Sequence, residues 1–379
     1  MKFFAILILV LIAIPILAIV TLYALSYPSF GQYPQAEYRQ RFEQSPQYDK
    51  ERGIFVNRRP RLLEEMRKKV MTAKGIYDFF AGGLDKTPLS LLPEVKPDMQ
   101  EFLKPSPNLK VIWFGHSSFI LNFDGKIILF DPVFSGSAAP VSFMIKRFQP
   151  AVITLEDLPK IDYIVISHDH YDHLDKKSIQ FFQNKDVKFL TPLGVGSYLQ
   201  GWGIEESRIT ELDWWQNLKV EDLEFIATPA QHFSGRDGRH DNQTLWASWV
   251  IRNSQHNIYF SGDSGYDIHF QDIGERFGPF DIAFLETGQY NERWKEVHML
   301  PSEAAQAYFD LRAKRFFPVH WGMFVLALHP WYDPIQTISQ LAEERQINLV
   351  SPKLGEMIII NDDYKSENWW KDLIAPKAN

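Results

Sequence analysis

Residues 161–175, IDYIVISHDHYDHLD, constrain this chain more than any other stretch. Tyr163, Ile164, Val165 and Ile166 form an apolar run rich in β-branched residues, which predicts a short buried strand. The strand runs directly into His168, His170, Asp172 and His173. A strand supplies rigidity, and the loop after it can turn several side chains toward one point. Three imidazoles and a carboxylate at this density therefore read as part of a metal cluster.

Other predicted strands end in the same way. Residues 223–227 lead to His232, 257–260 lead to Asp263 between Gly262 and Gly265, and 315–319 lead to His320. Ligands presented from neighbouring strand ends converge without strain, and glycine allows close backbone approach. Further strands are predicted at 111–114, 126–130, 188–190, 247–251, 282–285 and 357–360. The first two read as a hairpin about Asn122, Asp124 and Gly125. Helical patterns occupy 176–183, 301–311 and 334–345. This mixture predicts an α/β sandwich built on large mixed sheets.

The chain has 379 residues, enough for one large domain with extras or for two domains. Its formal net charge of -7 argues against a nucleic-acid partner, which would need lysine and arginine to neutralise phosphates. Cysteine is absent, so a metal here must be held by histidine and carboxylate alone. Aromatic residues, 15% of the chain, suit either an apolar ligand or an ordinary core.

After Lys2 no charged residue appears before Glu37, and 3–25 is almost unbroken hydrocarbon. As a helix it would span about 34 Å at 1.5 Å per residue, enough for a hydrocarbon layer of about 30 Å. A cleaved signal ending near Ala24, Leu25 and Ser26 is the competing reading. The length of the run favours an uncleaved anchor. The expected organisation is a transmembrane anchor at 1–25, then a stalk, a basic amphipathic helix and a proline-rich linker over 26–107. A main domain at 108–362 and a polar tail at 363–379 follow. Lys2 favours a cytoplasmic N-terminus and Arg39 and Arg41 the reverse. The expectation is a single-pass anchor in an inner or plasma membrane, with the main domain on the non-cytoplasmic side. Within 58–74, Leu62, Leu63, Met66 and Val70 share one helical face among basic residues. That helix either lies on an anionic bilayer or packs on the main domain.

The order His-x-His-x-Asp-His, then a histidine, an aspartate and a histidine each after its own strand, resembles the metallo-β-lactamase superfamily over about 108–362. Within it the chain is most similar to the N-acylphosphatidylethanolamine-hydrolysing phospholipase D group. The shared words include Trp113-Phe114-Gly115-His116, Leu212-Asp213-Trp214-Trp215, Gly262-Asp263-Ser264-Gly265-Tyr266 and His320-Trp321-Gly322. The resemblance implies an αββα four-layer sandwich and two zinc ions. One zinc would sit on His168, His170 and His232, the other on Asp172, His173 and His320, with Asp263 bridging. Asp172, Asp263 and His298 would be the catalytic residues, His298 orienting phosphate or protonating a leaving alkoxide. Asp131 and His116 would steady ligand residues. Tyr171, Tyr290 and Trp321 would contact substrate, with Trp214 and Trp215 nearby, unless these aromatics are core. Implied partners are a phospholipid substrate, the membrane and a second copy of the chain. A lactone, carboxylic ester or β-lactam hydrolase is the alternative chemistry. A non-catalytic metal-binding membrane adaptor is the alternative of another class; missing ligands would be its mark, and all seven are present.

Overall fold

Burial is nearly continuous along the central strands, with every residue of 110–113, 119–123 and 282–286 buried. Strands of this kind are covered on both faces. The computed structural model describes residues 2–361 and 364–374. In chain order it contains α1 (Lys2–Phe30), α2 (Ala36–Arg39), β1 (Tyr48–Asp49), β2 (Ile54–Phe55), α3 (Leu62–Val70), α4 (Ala73–Ala81) and α5 (Met99–Leu103). There follow β3 (Lys110–Trp113), β4 (Phe119–Phe123), β5 (Lys126–Phe130), β6 (Tyr163–Val165), α6 (Lys176–Phe181), β7 (Lys188–Pro192), α7 (Gly196–Gly201) and β8 (Ile209–Leu212). The second half holds β9 (Asn217–Val220), β10 (Leu223–Thr228), β11 (Ser248–Arg252), β12 (Asn257–Phe260), α8 (His269–Phe277), β13 (Ile282–Glu286), α9 (Pro301–Asp310), β14 (Phe316–Val319), α10 (Asp333–Arg345) and β15 (Met357–Ile359).

The strands form a seven-stranded sheet in the order β15-β3-β4-β5-β6-β7-β8 and a six-stranded sheet in the order β14-β13-β12-β11-β10-β9. Each sheet is antiparallel in one part and parallel in the other, from β5 to β8 and from β12 to β14. The sheets meet face to face through Phe119, which stacks on Phe130 at 4.3 Å and on Phe284 at 4.2 Å. Ile179, Tyr198 and Leu199 of α6 and α7 cover the outer face of the larger sheet. Phe270, Ile273, Ala304 and Ile335 of α8, α9 and α10 join the core that includes the smaller sheet. The result is an αββα sandwich, as the resemblance implied. Ligands in parallel sheets collect beyond the carboxyl ends of the strands. Here β5, β6, β12 and β14 are followed by Asp131, His168, Asp263 and His320.

Several expectations change. The turn at 122–125 joins β4 to β5, so the hairpin partner of 126–130 is Phe119–Phe123 and not 111–114. The run SSF before 120 hid β4, whose five residues are all buried and show no alternation. The segment after α1 is not an extended stalk. Phe42 and Phe55 are buried in the main core, each stabilising it by about 1.5–3 kcal/mol. The basic helix is interrupted at Met71 and continues as α4, capped by Thr72, whose side chain accepts from the Gly75 amide. It packs on the main domain, with Arg67 paired to Asp241 at 2.8 Å and Lys69 to Glu296. Of the polar tail at 363–379, residues 363 and 375–379 lie outside the described residues. Trp369 is buried and stacks on Trp321 at 5.7 Å, and Trp370 is fully buried.

Candidate metal centre

Two donor clusters share the strand-end edge. His168, His170, His232 and Asp263 form one, and His116, Asp172, His173 and His320 form the other. In each, the donor atoms lie within 4.8 Å of one another. In the first, His170 Nδ1 is 2.9 Å from His168 Nε2 and 3.2 Å from His232 Nε2. Asp263 Oδ2 stands 3.7 Å from His168 Nε2 and 3.6 Å from His232 Nε2. A tetrahedral ion with ligands at about 2.1 Å sets neighbouring donors about 3.4 Å apart, so these spacings are close to those of a metal-ligand set. In the second, His173 Nε2 lies 3.4 Å from Asp172 Oδ2 and 3.2 Å from Asp263 Oδ1. The Nε2 atoms of His173 and His320 are buried and make no hydrogen bond among the described residues. Such orphaned atoms are costly unless a further group meets them. Asp263 reaches both clusters, one oxygen to each, which suits a bridging role.

The electrostatics agree with the donor types. Burial holds His168 and His232 well below the usual imidazole range and lowers His170, which keeps them neutral as ligands must be. Burial also takes His320 down to about 3. His173 goes the other way: burial disfavours its charged form, but the Asp263 and Asp172 carboxylates outweigh burial. This charge stands where a cation would sit between the same carboxylates.

A shell of buried groups orients the donors. Asp131 Oδ2 accepts from His173 Nδ1 at 2.7 Å, and its Oδ1 accepts from the Ser167 amide at 2.7 Å. His232 Nδ1 donates to the Val297 carbonyl at 3.1 Å, which fixes its ring. His116 Nε2 lies 2.9 Å from Asp172 Oδ2 and holds that carboxylate. Asp131, His116 and His320 have φ of +35°, +53° and +66°, strained for residues with a side chain. Gly262 has φ +54°, and a Cβ there would meet Ser167 Cβ at 2.7 Å, so Asp263 reaches the cluster only behind a glycine.

A cavity of about 360 Å³ opens over the donors. His170, Asp172, Asp263, His298 and His320 lie on its floor, and Met66, Val70, Ile145, Phe233, Trp294 and Leu326 form apolar walls. His298 donates from Nδ1 to Glu286 Oε2 at 3.0 Å, and the Met299 amide donates to Glu286 Oε1 at 2.7 Å. Burial disfavours the charged His298 ring, but the Glu286 carboxylate outweighs burial and holds it above the usual imidazole range. Burial raises the Glu286 carboxyl to about 7.

The structure brings together all seven expected ligands and His298, with Asp131 and His116 behind them. Tyr171 lines the cavity. Tyr290 and Trp321 do not. Tyr290 donates to Asp333 and stacks on His329, and Trp321 is buried between Trp113 and Trp369. Trp214 and Trp215 are likewise away from the cavity, Trp214 donating to the Trp246 carbonyl at 2.7 Å. Aromatic size was a poor guide because core stacking uses the same residues. Two contributors lie outside the residues expected from the sequence. Glu286 ends β13 as the ligands follow their own strands, and that signal was available. Asn57 had none: its Nδ2 donates to the His232 carbonyl at 2.7 Å, and its Oδ1 accepts from the His232 amide at 3.1 Å.

Residues 126–321 match the family model described as "Beta-lactamase superfamily domain". An uncharacterized protein of Mycobacterium tuberculosis is 37% identical over 334 residues, covering 87% of this chain and 88% of that protein. N-acyl-phosphatidylethanolamine-hydrolyzing phospholipase D 1 of Caenorhabditis elegans is 33% identical over 264 residues, covering 65% of this chain and 74% of the relative. A solved metallo hydrolase from the archaeon Ignicoccus hospitalis superposes with a TM-score of 0.54 at 23% identity. It covers 68% of this chain and 100% of its own, a likeness of fold.

Proposed function

The chain belongs to the metallo-β-lactamase superfamily of metal-dependent hydrolases, and on that footing we propose that it is a membrane-anchored, zinc-dependent phosphodiesterase of phospholipase D type. Its substrate is N-acylphosphatidylethanolamine or a closely related phospholipid. The carrying observation is the apolar-walled cavity with His298 and members of both donor clusters, His170, Asp263, Asp172 and His320, on its floor. A diacylated phosphodiester needs apolar walls for its chains, cations for its phosphate and an acid for its leaving group.

His168, His170 and His232 would hold one zinc ion and Asp172, His173 and His320 the other, with Asp263 between them. When bound, a pair of such ions supplies Lewis acidity at phosphorus and an activated water. Asp131 and His116 keep His173 and Asp172 aimed. Water adds at phosphorus as the P–O bond to the N-acylethanolamine breaks. His298, charged and held by Glu286, donates its proton to the departing alkoxide. Phosphatidic acid and a neutral N-acylethanolamine leave, the proton given up by the attacking water passes to solvent, and His298 recovers one proton from solvent. Met66, Val70 and Phe233 exclude water from the acyl chains. Helix α1 is long and apolar, and its stretch Leu11–Phe30 is only 6% buried in the protein, as a membrane anchor requires.

The test is turnover by the zinc-reconstituted full chain on phosphodiester, lactone, carboxylic ester and β-lactam substrates. Hydrolysis of N-acylphosphatidylethanolamine at least about tenfold faster than any carbonyl substrate is expected. The reverse order overturns the reading, and zinc loading without hydrolysis of anything favours an adaptor.

A further inference from the structure

The end of α1 is seated on the main domain beside a second cavity, of about 460 Å³, between Pro28–Ser29 and the loop 135–142. The seat is specific. Lys176 Nζ donates to the Pro28 carbonyl at 2.7 Å, and the buried Arg236 guanidinium donates through Nη2 to the Ser29 carbonyl at 3.0 Å. Arg236 Nη1 also donates to the carbonyls of Asp169 and Leu174, within the metal-ligand loop. The helix C-terminus, which carries partial negative charge, is thus closed by cations of the domain.

The lining is strongly cationic in a chain whose net charge is -7. Lys146, Lys176, Lys177 and Arg236 face one carboxylate, Asp175. Asp175 is buried and already accepts from Ser135 and from the amide and hydroxyl of Ser178. Lys176 and Arg236 are occupied by α1. Lys146 and Lys177 make no ion pair or side-chain hydrogen bond among the described residues, and both are exposed. Two free ammonium groups over one small cavity, with no carboxylate left to neutralise them, suit a phosphate.

The position says which phosphate. Tyr23, Tyr27 and Phe30 form an aromatic cluster on α1, with ring centroids 5.4–6.3 Å apart. Tyrosines of this kind mark the boundary between hydrocarbon and headgroups. Ser29 lies six residues beyond Tyr23, about 9 Å along a helix at 1.5 Å per residue. That is comparable to one headgroup layer. Tyr171 lines this cavity and the one over the donor clusters, so the two are neighbours.

We propose that the cavity between the base of α1 and the loop 135–146 binds the headgroup phosphate of an anionic glycerophospholipid in the leaflet where α1 ends. A lipid held there keeps the adjoining substrate cavity at the membrane surface. The proposal rests on the anchor reading of α1 but not on the choice of substrate.

Native mass spectrometry of the full chain in mild detergent tests it, titrated with phosphatidylglycerol or phosphatidylcholine of matched acyl chains. One phosphatidylglycerol should bind at concentrations about tenfold below phosphatidylcholine. The double variant Lys146→Glu/Lys177→Glu should lose that preference and keep its zinc content and melting temperature. The control Lys353→Glu should keep the preference. Equal binding of both lipids, or a preference surviving in the double variant, overturns the proposal. Displacement of phosphatidylglycerol by equimolar inorganic phosphate overturns the lipid assignment in favour of a free anion. The intact mass reads the premise separately: a chain lacking residues 1–30 would overturn the anchor reading itself.

Discussion

Two regions meet at His232 and hold it by different means. On the basin side, its ring faces His170 and Asp263 at 3.2 Å and 3.6 Å, in a cluster where nearly every group is titratable and buried. On the other side, the N-terminal wrap holds the backbone of the same residue through a neutral amide, Asn57. The basin concentrates buried carboxylates and imidazoles of the kind that can hold a metal ion. The wrap supplies position, burying Phe42 and Phe55 in the core and laying Met66 and Val70 over the cavity. Chemistry resides in one region, and the geometry that makes it usable resides partly in the other.

The comparison breaks most visibly at Asp263. Asp263→Asn removes the carboxylate that, among the described residues, reaches both clusters. Loss of several kcal/mol of transition-state stabilisation is expected, or about 10³-fold in turnover or more, with lower metal content by elemental analysis. Retained activity would mean that Asp263 does not link the clusters. Next is His298→Ala, expected to lower turnover by about 10²-fold or more while metal content stays at the wild-type level. Unchanged kinetics would reject a proton-donating role, and Glu286→Gln should show a smaller loss in the same direction.

On the wrap side the effects shrink. Asn57→Ala should weaken metal affinity by about 10–100-fold, the range found when a group orienting a ligand is removed. A competitive chelator titration reads it, and wild-type affinity would show that the wrap does not position His232. Val70→Ala should raise KM for long-chain substrates by about fourfold for each buried methylene that the substrate leaves uncovered, at about 0.8 kcal/mol apiece. The same variant should leave short-chain substrates unchanged, and an equal effect on both would place Val70 outside the acyl path.

The same division explains what could be read from the chain. The candidate centre was legible because ligands in a chain without cysteine must be histidine or carboxylate, and because β6, β10, β12 and β14 are each followed by such a residue after a short apolar run. His116, expected to steady a ligand, lies with its Nε2 2.9 Å from Asp172 Oδ2. The wrap was not legible. Residues 27–49 read as a stalk since proline, glutamine and tyrosine carry no periodic signal, and Phe42 joins a core most of whose other members lie far along the sequence. Strand β4 failed for another reason. A strand buried on both faces loses the alternation that marks a half-exposed one. Trp321 failed for a third, since a tryptophan buried against Trp113 and one lining an acyl groove look alike in sequence.

The most direct test is hydrolysis of N-acylphosphatidylethanolamine by the zinc-loaded full chain in ¹⁸O-enriched water, with products separated and weighed by mass spectrometry. Attack at phosphorus predicts one heavy oxygen in phosphatidic acid and none in the N-acylethanolamine. Heavy oxygen in a released fatty acid, with no labelled phosphatidic acid, would mean that the basin works on carbonyl carbon and would contradict the account.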